Sequence, residues 1–503
     1  MIKNSKLNVR LRIPPSPTGL LHIGTVRTAL YNYLFAKKNG GTLVLRIEDT
    51  DKERGTKEYE DDIVNGLIKL GIAGDEGVHV GGPYAPYRQS ERTEIYTGYL
   101  QQLLDEDKAY YCFCTKERLE AMREEQTAKK LPPRYDGCCT GLDVAESKKR
   151  VEQGESAVIR LRVPQDREIK FNDLVRGENV FRSKEFDDFV IARKINDPLY
   201  HLTVVADDHD MEITHVIRGE DHISNTPKQI LIYRAFGWQI PEFGHLPLIL
   251  NEDKTKLSKR KNKVSVDDYL KEGYLPEALL NFLALLGWNT TDEQEIFSME
   301  ELIEKFSLDR VHKGGAVFDI KKLDWINGEY IKKAIAEDID GFYPKIAHFF
   351  SSRPQAEGST PIDPVLIKKI LQDPDFAGRF KKLSEIPEAL AVFFEPLPDY
   401  SMSLILNEKF KITPEIGKRV FQKAIETAQN LEWEVGDNTQ TQTLSESMME
   451  LVEPLELKNG QVLWPIRVSL SGAERSANFA TLMVYLGKEE TLKRLGIALE
   501  KMN

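Results

Sequence analysis

Two short stretches of this sequence carry residues suited to phosphate chemistry. The first reads Arg12-Ile-Pro-Pro-Ser-Pro-Thr-Gly-Leu-Leu-His22-Ile-Gly24. Before it, Leu7, Val9, Leu11 and Ile13 alternate as in a strand with one buried face. After it, Val26, Ala29, Leu30, Tyr33 and Leu34 recur at helical spacing until Gly40-Gly41. The prolines and Gly19 rule out regular pairing in between. His22 and Gly24 are therefore expected at a strand–loop–helix junction, where unpaired amides and the helix dipole favour an anion. The second stretch is Lys254-Thr-Lys256-Leu-Ser258-Lys259-Arg260-Lys-Asn-Lys263, a basic run on a loop after the apolar segment His245–Leu250. A lysine run by itself is most often a solvated face. Far downstream of a histidine–glycine junction, this one suits the neutralisation of a polyphosphate.

Sulfur forms a third group, since Cys112, Cys114, Cys138 and Cys139 are the only cysteines. Nothing in Met1-Ile-Lys-Asn-Ser-Lys6 resembles a secretory leader, so disulfides are not expected. Cys112-Phe-Cys114 followed by Tyr135-Asp-Gly-Cys-Cys139 has the donor chemistry of a tetrahedral zinc site; the other reading is free thiols.

The elements that must position these groups follow from pattern. A chain of 503 residues exceeds one hydrophobic core and divides into about three to five domains. Its net charge of −11 argues against a general nucleic-acid binder, although basic residues cluster at 254–263, 312–333 and 365–382. No apolar run approaches the ~20 residues that cross a bilayer, so a cytoplasmic chain without membrane contact is expected. Thr42–Ile47 reads as a buried strand with Glu48 just beyond it, and Glu58–Leu70 as a helix. This alternation fits a parallel α/β sheet, whose ligands bind at the carboxyl ends of the strands. Residues 88 to about 185 interrupt the sheet with helices over 90–106 and 116–129 and strands near Val163 and 186–192. Val204-Val-Ala-Asp-Asp-His reads as a strand ending in acids. Glu212–Ile217 is a further strand, placing Arg218 at its end, where a guanidinium suits a two-bond grip on a carboxylate. Beyond 267 the chain turns helical, with Trp325 and Tyr330 read as core and further helices over 413–431 and 445–457. Arg467 is as readily structural as RNA-facing.

The wording of these stretches is specific. Pro15-Ser-Pro-Thr-Gly19, Arg46-Ile-Glu-Asp-Thr-Asp51, Tyr87-Arg-Gln-Ser-Glu-Arg92, Val216-Ile-Arg-Gly-Glu-Asp-His222 and Lys256-Leu-Ser-Lys-Arg260 resemble bacterial glutamyl-tRNA synthetase, a class I aminoacyl-tRNA synthetase. The likeness runs over nearly the whole chain. It implies an α/β fold: a Rossmann-type catalytic domain in two halves (1–87 and 195–252), split by an α/β insertion that receives the acceptor end (88–194). A stem-contact domain (253–330) and an all-α anticodon-binding region (331–503) would follow. The implied reaction is ATP-dependent attachment of L-glutamate to the 3′ end of tRNA(Glu) through a glutamyl-adenylate, by a monomer, with Mg²⁺ accompanying ATP.

The resemblance also implies roles. Pro14, His22, Gly24, Lys256, Lys259 and Arg260 would hold ATP, with His22, Lys256 and Lys259 stabilising the departing pyrophosphate. Arg12, Ser16, Glu48, Tyr200 and Arg218 would bind glutamate: Glu48 and Ser16 at the ammonium, Arg218 at the α-carboxylate, Arg12 and Tyr200 at the side chain. Val204 departs from relatives that carry asparagine there, which puts one polar side-chain contact in doubt. Arg379 is the match for an anticodon-reading arginine. A structural Zn²⁺ would use Cys112, Cys114 and Cys139, with Tyr135 or Cys138 as the fourth ligand. Glutaminyl-tRNA synthetase usually reads Pro-Glu-Pro-Asn-Gly in its first motif and has a β-barrel tail. The short paralogue that glutamylates a tRNA base has no anticodon region, and a small-molecule nucleotidyltransferase or a non-catalytic RNA binder explains still less.

Overall fold

The computed structural model describes residues 8–502 apart from 52, 258–264, 355 and 434–437. They form two compact units. One is drawn from the chain up to Leu270 and from Leu279–Ile320, the other from Lys271–Ala278 and from Lys321 onward.

The first unit begins with β1 (Arg10–Ile13), all four residues buried, and α1 (Ile23–Lys38). His22 caps α1, its Nδ1 accepting the Gly24 N–H at 2.9 Å. Lys37 and Lys38 sit in the last turn, where the dipole favours cations. Next come β2 (Thr42–Leu45), α2 (Lys57–Lys69) and β3 (Glu76–Gly77); the three strands are parallel in the order β1-β2-β3. After α3 (Thr93–Asp105) the chain forms β4 (Ala109–Cys112), α4 (Lys116–Ala128), α5 (Val144–Glu152) and β5 (Val158–Leu161). A hairpin of β6 (Glu168–Asp173) and β7 (Gly177–Arg182) follows, then β8 (Val190–Lys194) and β9 (Asp197–Pro198). Strands β4-β5-β8-β9 make an antiparallel sheet. The chain then enters α6 (Tyr200–Asp210), β10 (His215–Gly219), α7 (Thr226–Phe236) and β11 (Glu242–Leu246).

A second four-stranded sheet has the order β10-β11-β6-β7. Strands β10 and β11 are parallel, and β6 joins β11 through Phe243 and Asp173. Thr214 N–H donates to Arg10 C=O at 3.0 Å, which lays the start of β10 along β1. The ends of β1, β2 and β10 thus open toward one place. Val44, Leu161, Leu202, Val216, Ile230 and Phe243 belong to one buried apolar cluster beneath it.

One expectation fails here: Val204–His209 is part of helix α6, not a strand. Leu202 through Asp208 are buried without a break, so no polar face remains to mark the helical period. The β-branched Thr-Val-Val triplet then reads as strand, and packing overrides that preference.

The second unit is helical. Helices Ile339–Ser352, Pro364–Gln372 and Pro414–Asn430 start on the side-chain caps Asp338, Asp363 and Thr413. Phe479–Lys501 is two helical pieces joined at Gly487, whose φ of +75° suits glycine. Two expectations are corrected. The helix placed at 445–457 is Asn438–Met449, because Pro454 cannot continue a helix. Trp325 is 43% exposed rather than core. Its helix buries Leu323, Ile326, Ile331 and Ile335, so the tryptophan lies on the other face; Tyr330 is half-buried. Among the described residues no helix is long and apolar enough to cross a membrane.

Candidate active site

The strand ends enclose a cavity of about 470 Å³ in the first unit. Arg12 lines it from β1, Pro14 and Ser16 from the segment after β1, and Glu48 from beyond β2. His22 and Gly24 line it from the α1 junction, Tyr200 from the start of α6, Arg218 from β10, and Lys256 from the loop beyond β11. Side chains far apart in sequence therefore share one hollow. Lys259 and Arg260 lie outside the described residues. The residues flanking their run are tied down on either side. Leu257 N–H donates to Ile249 C=O at 2.9 Å, and Val266 N–H to Leu21 C=O at 3.1 Å, beside His22.

Because the His22 Nδ1 is an acceptor, the neutral ring carries its proton on Nε2 and presents a donor there. A Cβ on Gly24 would stand 3.1 Å from His22 Nδ1, so only glycine leaves the imidazole undisturbed. Lys256 Nζ stands 3.5 Å from the Asp221 carboxylate, both well exposed.

Charged groups are layered below. Arg46 is fully buried, with NH1 2.8 Å from Asp208 and NH2 3.1 Å from Glu48. Asp208 also takes Arg12 Nε at 3.2 Å. Asp207, fully buried, accepts from Arg92 Nε at 2.7 Å, Gln89 at 2.8 Å and Tyr96 at 2.9 Å. Adjacent residues on a helix point about 100° apart, which lets Asp207 and Asp208 serve different arginines. Burial pushes the Glu48 carboxyl up despite Arg46 and Arg12, so an incoming ammonium group would favour its ionised form.

Arg12 NH1 and Arg218 NH1 are buried and have no acceptor among the described residues. Arg218 is otherwise gripped: NH2 donates to Thr226 Oγ1 at 2.8 Å and Nε to His245 Nε2 at 3.2 Å. Burial lowers its pKa to about 10. Tyr200 Oη lies 3.2 Å from His222 Nδ1, and burial beside Arg218 lowers the His222 pKa to about 4. Sequence reasoning passed over Asp207, Asp208, Asp173 and His245. The signal available was the unusual Asp-Asp pair inside an apolar run. Val204 is buried and brings no polar atom.

Away from the cavity, Cys112, Cys114 and Cys139 bring their sulfurs within 4.8 Å of one another. Tyr135 Oη lies 3.4 Å from Cys112 Sγ and 3.6 Å from Cys114 Sγ; Cys138 is exposed. Tetrahedral zinc–thiolate bonds place sulfurs ~3.8 Å apart, and Cys114 and Cys139 are 3.6 Å apart. The donor set fits such an ion. Burial drives the Cys114 thiol up to about 12, whereas hydrogen bonds from Tyr135 and Arg160 outweigh burial at Cys112 and hold it below the ordinary value.

In the second unit, Arg379 lines a cavity of about 1220 Å³ together with Arg353, Arg467 and Arg475. Arg379 NH1 donates to Ser476 C=O at 2.9 Å and NH2 to Asp375 at 2.9 Å. Arg467 stacks over Trp464 and donates to Ser476 Oγ at 3.0 Å and Glu474 C=O at 2.7 Å.

A parallel sheet with a histidine–glycine junction, a downstream lysine and a charged cavity at its strand ends agrees with the class that the family match shows, a class I aminoacyl-tRNA synthetase. The family described as "tRNA synthetases class I (E and Q), catalytic domain" matches residues 8–325, and "Anticodon binding domain" matches 342–499. The chain is 43% identical to the glutamate–tRNA ligase of Clostridium tetani, over 98% of each chain. It is also 43% identical to that of Elusimicrobium minutum, covering 99% of this chain and all of the other. A crystal structure of a glutamate tRNA ligase from Elizabethkingia meningosepticum in complex with its amino acid superimposes with a TM-score of 0.87, at 37% identity and 99% coverage. The chain belongs to the glutamate–tRNA ligase family.

Proposed function

We propose that this chain attaches L-glutamate to the 3′ end of tRNA(Glu) in two steps, acting as a monomer. In the first, a glutamate α-carboxylate oxygen attacks the α-phosphorus of ATP. The bond to the bridging oxygen breaks, and pyrophosphate leaves with the electron pair. In the second, a terminal ribose hydroxyl of the tRNA attacks the acyl carbon of the mixed anhydride and AMP leaves. Neither step needs a protein nucleophile; positioning and stabilisation of developing charge suffice.

The observation that carries this reading is the pair of buried guanidinium nitrogens without acceptors among the described residues, on Arg12 and Arg218, lining one cavity with Glu48. A substrate with two carboxylates and one ammonium complements all three. On this reading Arg218 takes the α-carboxylate, Arg12 with Tyr200 the side-chain carboxylate, and Glu48 with Ser16 the ammonium. Glutamine would leave Arg12 NH1 without a carboxylate, although Asp208 still meets Nε, at a cost of about 1–3 kcal/mol for a buried donor short of its charged acceptor. His22 Nε2–H and the amides at the start of α1 hold phosphate oxygens near Pro14 and Gly24. Lys256, with Lys259 and Arg260, neutralises the leaving pyrophosphate. Mg²⁺ accompanies ATP and screens its triphosphate.

Zinc, held by Cys112, Cys114, Cys139 and Tyr135, would cross-link the two ends of the α4 excursion and do no chemistry. Residues 88–194 receive the acceptor end, 253–330 the stem, and 331–503, with Arg379, the anticodon. The test is charging of purified tRNA(Glu) and tRNA(Gln) with labelled glutamate and glutamine. Glutamate transfer to tRNA(Glu) is expected, with Arg218→Lys losing about 10²–10³ in kcat/KM because a point charge cannot copy a planar grip. Comparable kcat/KM for glutamine would overturn the pocket assignment.

A further inference from the structure

Behind Arg218 lies a line of buried groups that the reaction itself does not touch. Asp173 closes β6 and is 2% exposed; His245 on β11 is fully buried. Asp173 Oδ1 accepts from the N–H of Val175 and of Arg176, each at 2.9 Å, and from His245 N–H at 3.2 Å. Its Oδ2 meets His245 Nδ1 at 2.5 Å. On the far side of the ring, Nε2 lies 3.2 Å from Arg218 Nε.

The protons in this line can be placed from chemistry alone. Arginine Nε carries a hydrogen and never accepts, so His245 Nε2 must accept from it. The ring's proton is then on Nδ1, where the Asp173 carboxylate receives it. Thr226 Oγ1 accepts from Arg218 NH2 and stands 3.1 Å from His245 Nε2 and 3.4 Å from His222 C=O, either of which accepts its hydrogen; a bond to Nε2 needs the same His245 tautomer. Two of the three guanidinium nitrogens are thereby fixed, and NH1 remains for the cavity.

We propose that Asp173 and His245 are positioning residues for amino-acid recognition. Asp173 holds His245 in the tautomer that accepts from Arg218, and this sets the guanidinium plane that meets the substrate α-carboxylate. The proposal rests on the reading above in which Arg218 binds that carboxylate. Burial and the neighbouring Arg218 and Arg176 keep the imidazole neutral, as an acceptor must be. Carboxylate-fixed tautomers of this kind set the function of a histidine in other sites.

The variants separate orientation from packing. Asp173→Asn keeps the backbone acceptor Oδ1 but turns an N–H toward His245 Nδ1. The ring then shifts its proton to Nε2 and faces Arg218 donor to donor. His245→Phe removes the acceptor while matching its stacked neighbour Phe243. His245→Gln offers an amide N–H to Asp173 and an oxygen to Arg218, and should restore the line.

The readout is the glutamate KM in charging, set against the Ki of the analogue whose α-carboxylate is reduced to an alcohol. Asp173→Asn and His245→Phe should raise the glutamate KM on the order of 10- to 100-fold while leaving the analogue's Ki nearly unchanged. His245→Gln should lie close to wild type. If both constants rise together, or neither moves, the proposal is overturned. Arg218→Lys tests the underlying reading: if it preserves the preference for glutamate over the alcohol, Arg218 does not bind the α-carboxylate. If it abolishes the preference while the other variants keep it, only the positioning proposal falls. Should Asp173→Asn fail to fold by circular dichroism, the contrast between His245→Phe and His245→Gln decides.

Discussion

On the proposed reading, Glu48 is the carboxylate that meets the ammonium group of the amino acid. Burial raises its pKa, and Arg46 reaches only its Oε1. Arg46 would keep Asp207 and Asp208 if Glu48 were neutralised, so the fold does not depend on Glu48. Glu48→Gln should therefore fold normally and raise the glutamate KM by roughly 10- to 100-fold, the value of one charge-assisted contact. The KM for ATP should barely move. Steady-state charging at varied glutamate and varied ATP checks this, and a rise confined to ATP would remove Glu48 from the amino-acid site.

At the scale of elements, the zinc proposal makes the segment from β4 to β5 the one held by side-chain ligands more than by a core. Helix α4 has no buried residue. The cysteine cluster ties its ends: Cys112 and Cys114 precede it, and Tyr135 and Cys139 follow it. Protein purified without chelator should carry about one equivalent of zinc, and Cys139→Ser should release it. Limited proteolysis should then cut within 113–140, while tRNA-independent glutamate binding is retained. Metal analysis showing no zinc at full charging activity would make these residues free thiols. Legibility in the sequence followed the same division by element. The loop from Arg12 to Gly24 could be placed because alternation before it and helical spacing after it left little room for another reading. Helix α6 could not, since its residues are buried on nearly every side and periodicity needs an exposed face. Tyr200 and Arg218 were nonetheless expected at the cavity that they line. Asp173 was not, because nothing local signals that β6 will pair with a strand as distant in sequence as β11.

On the scale of the first unit, buried histidines make stability acid-sensitive, His201 and His222 most of all. Burial lowers the pKa of both His201 and His222 to about 4, from an ordinary 6.5. Between those values the unfolded chain binds more protons than the folded one. Their contribution is therefore complete above pH 6.5 and is lost as pH falls toward 4. His201 has a buried Nδ1 with no partner among the described residues and packs edge-on to Phe189. His201→Phe should accordingly flatten the decline in the urea midpoint between pH 7 and pH 5. An unchanged slope would place the acid sensitivity elsewhere.

The long-range seam between β1 and β10 has a consequence for synthesis on the ribosome. Arg10 and Thr214 bond across 204 positions, so the outer edge of β1 has no partner until β10 has been made. At translation rates of roughly 5–20 residues per second, that edge stays open for about 10–40 s. A parallel strand with an open edge is a template for wrong pairing. The nascent chain is thus most vulnerable between the completion of β3 and the emergence of β10, and factors that shield exposed strands would act in that interval.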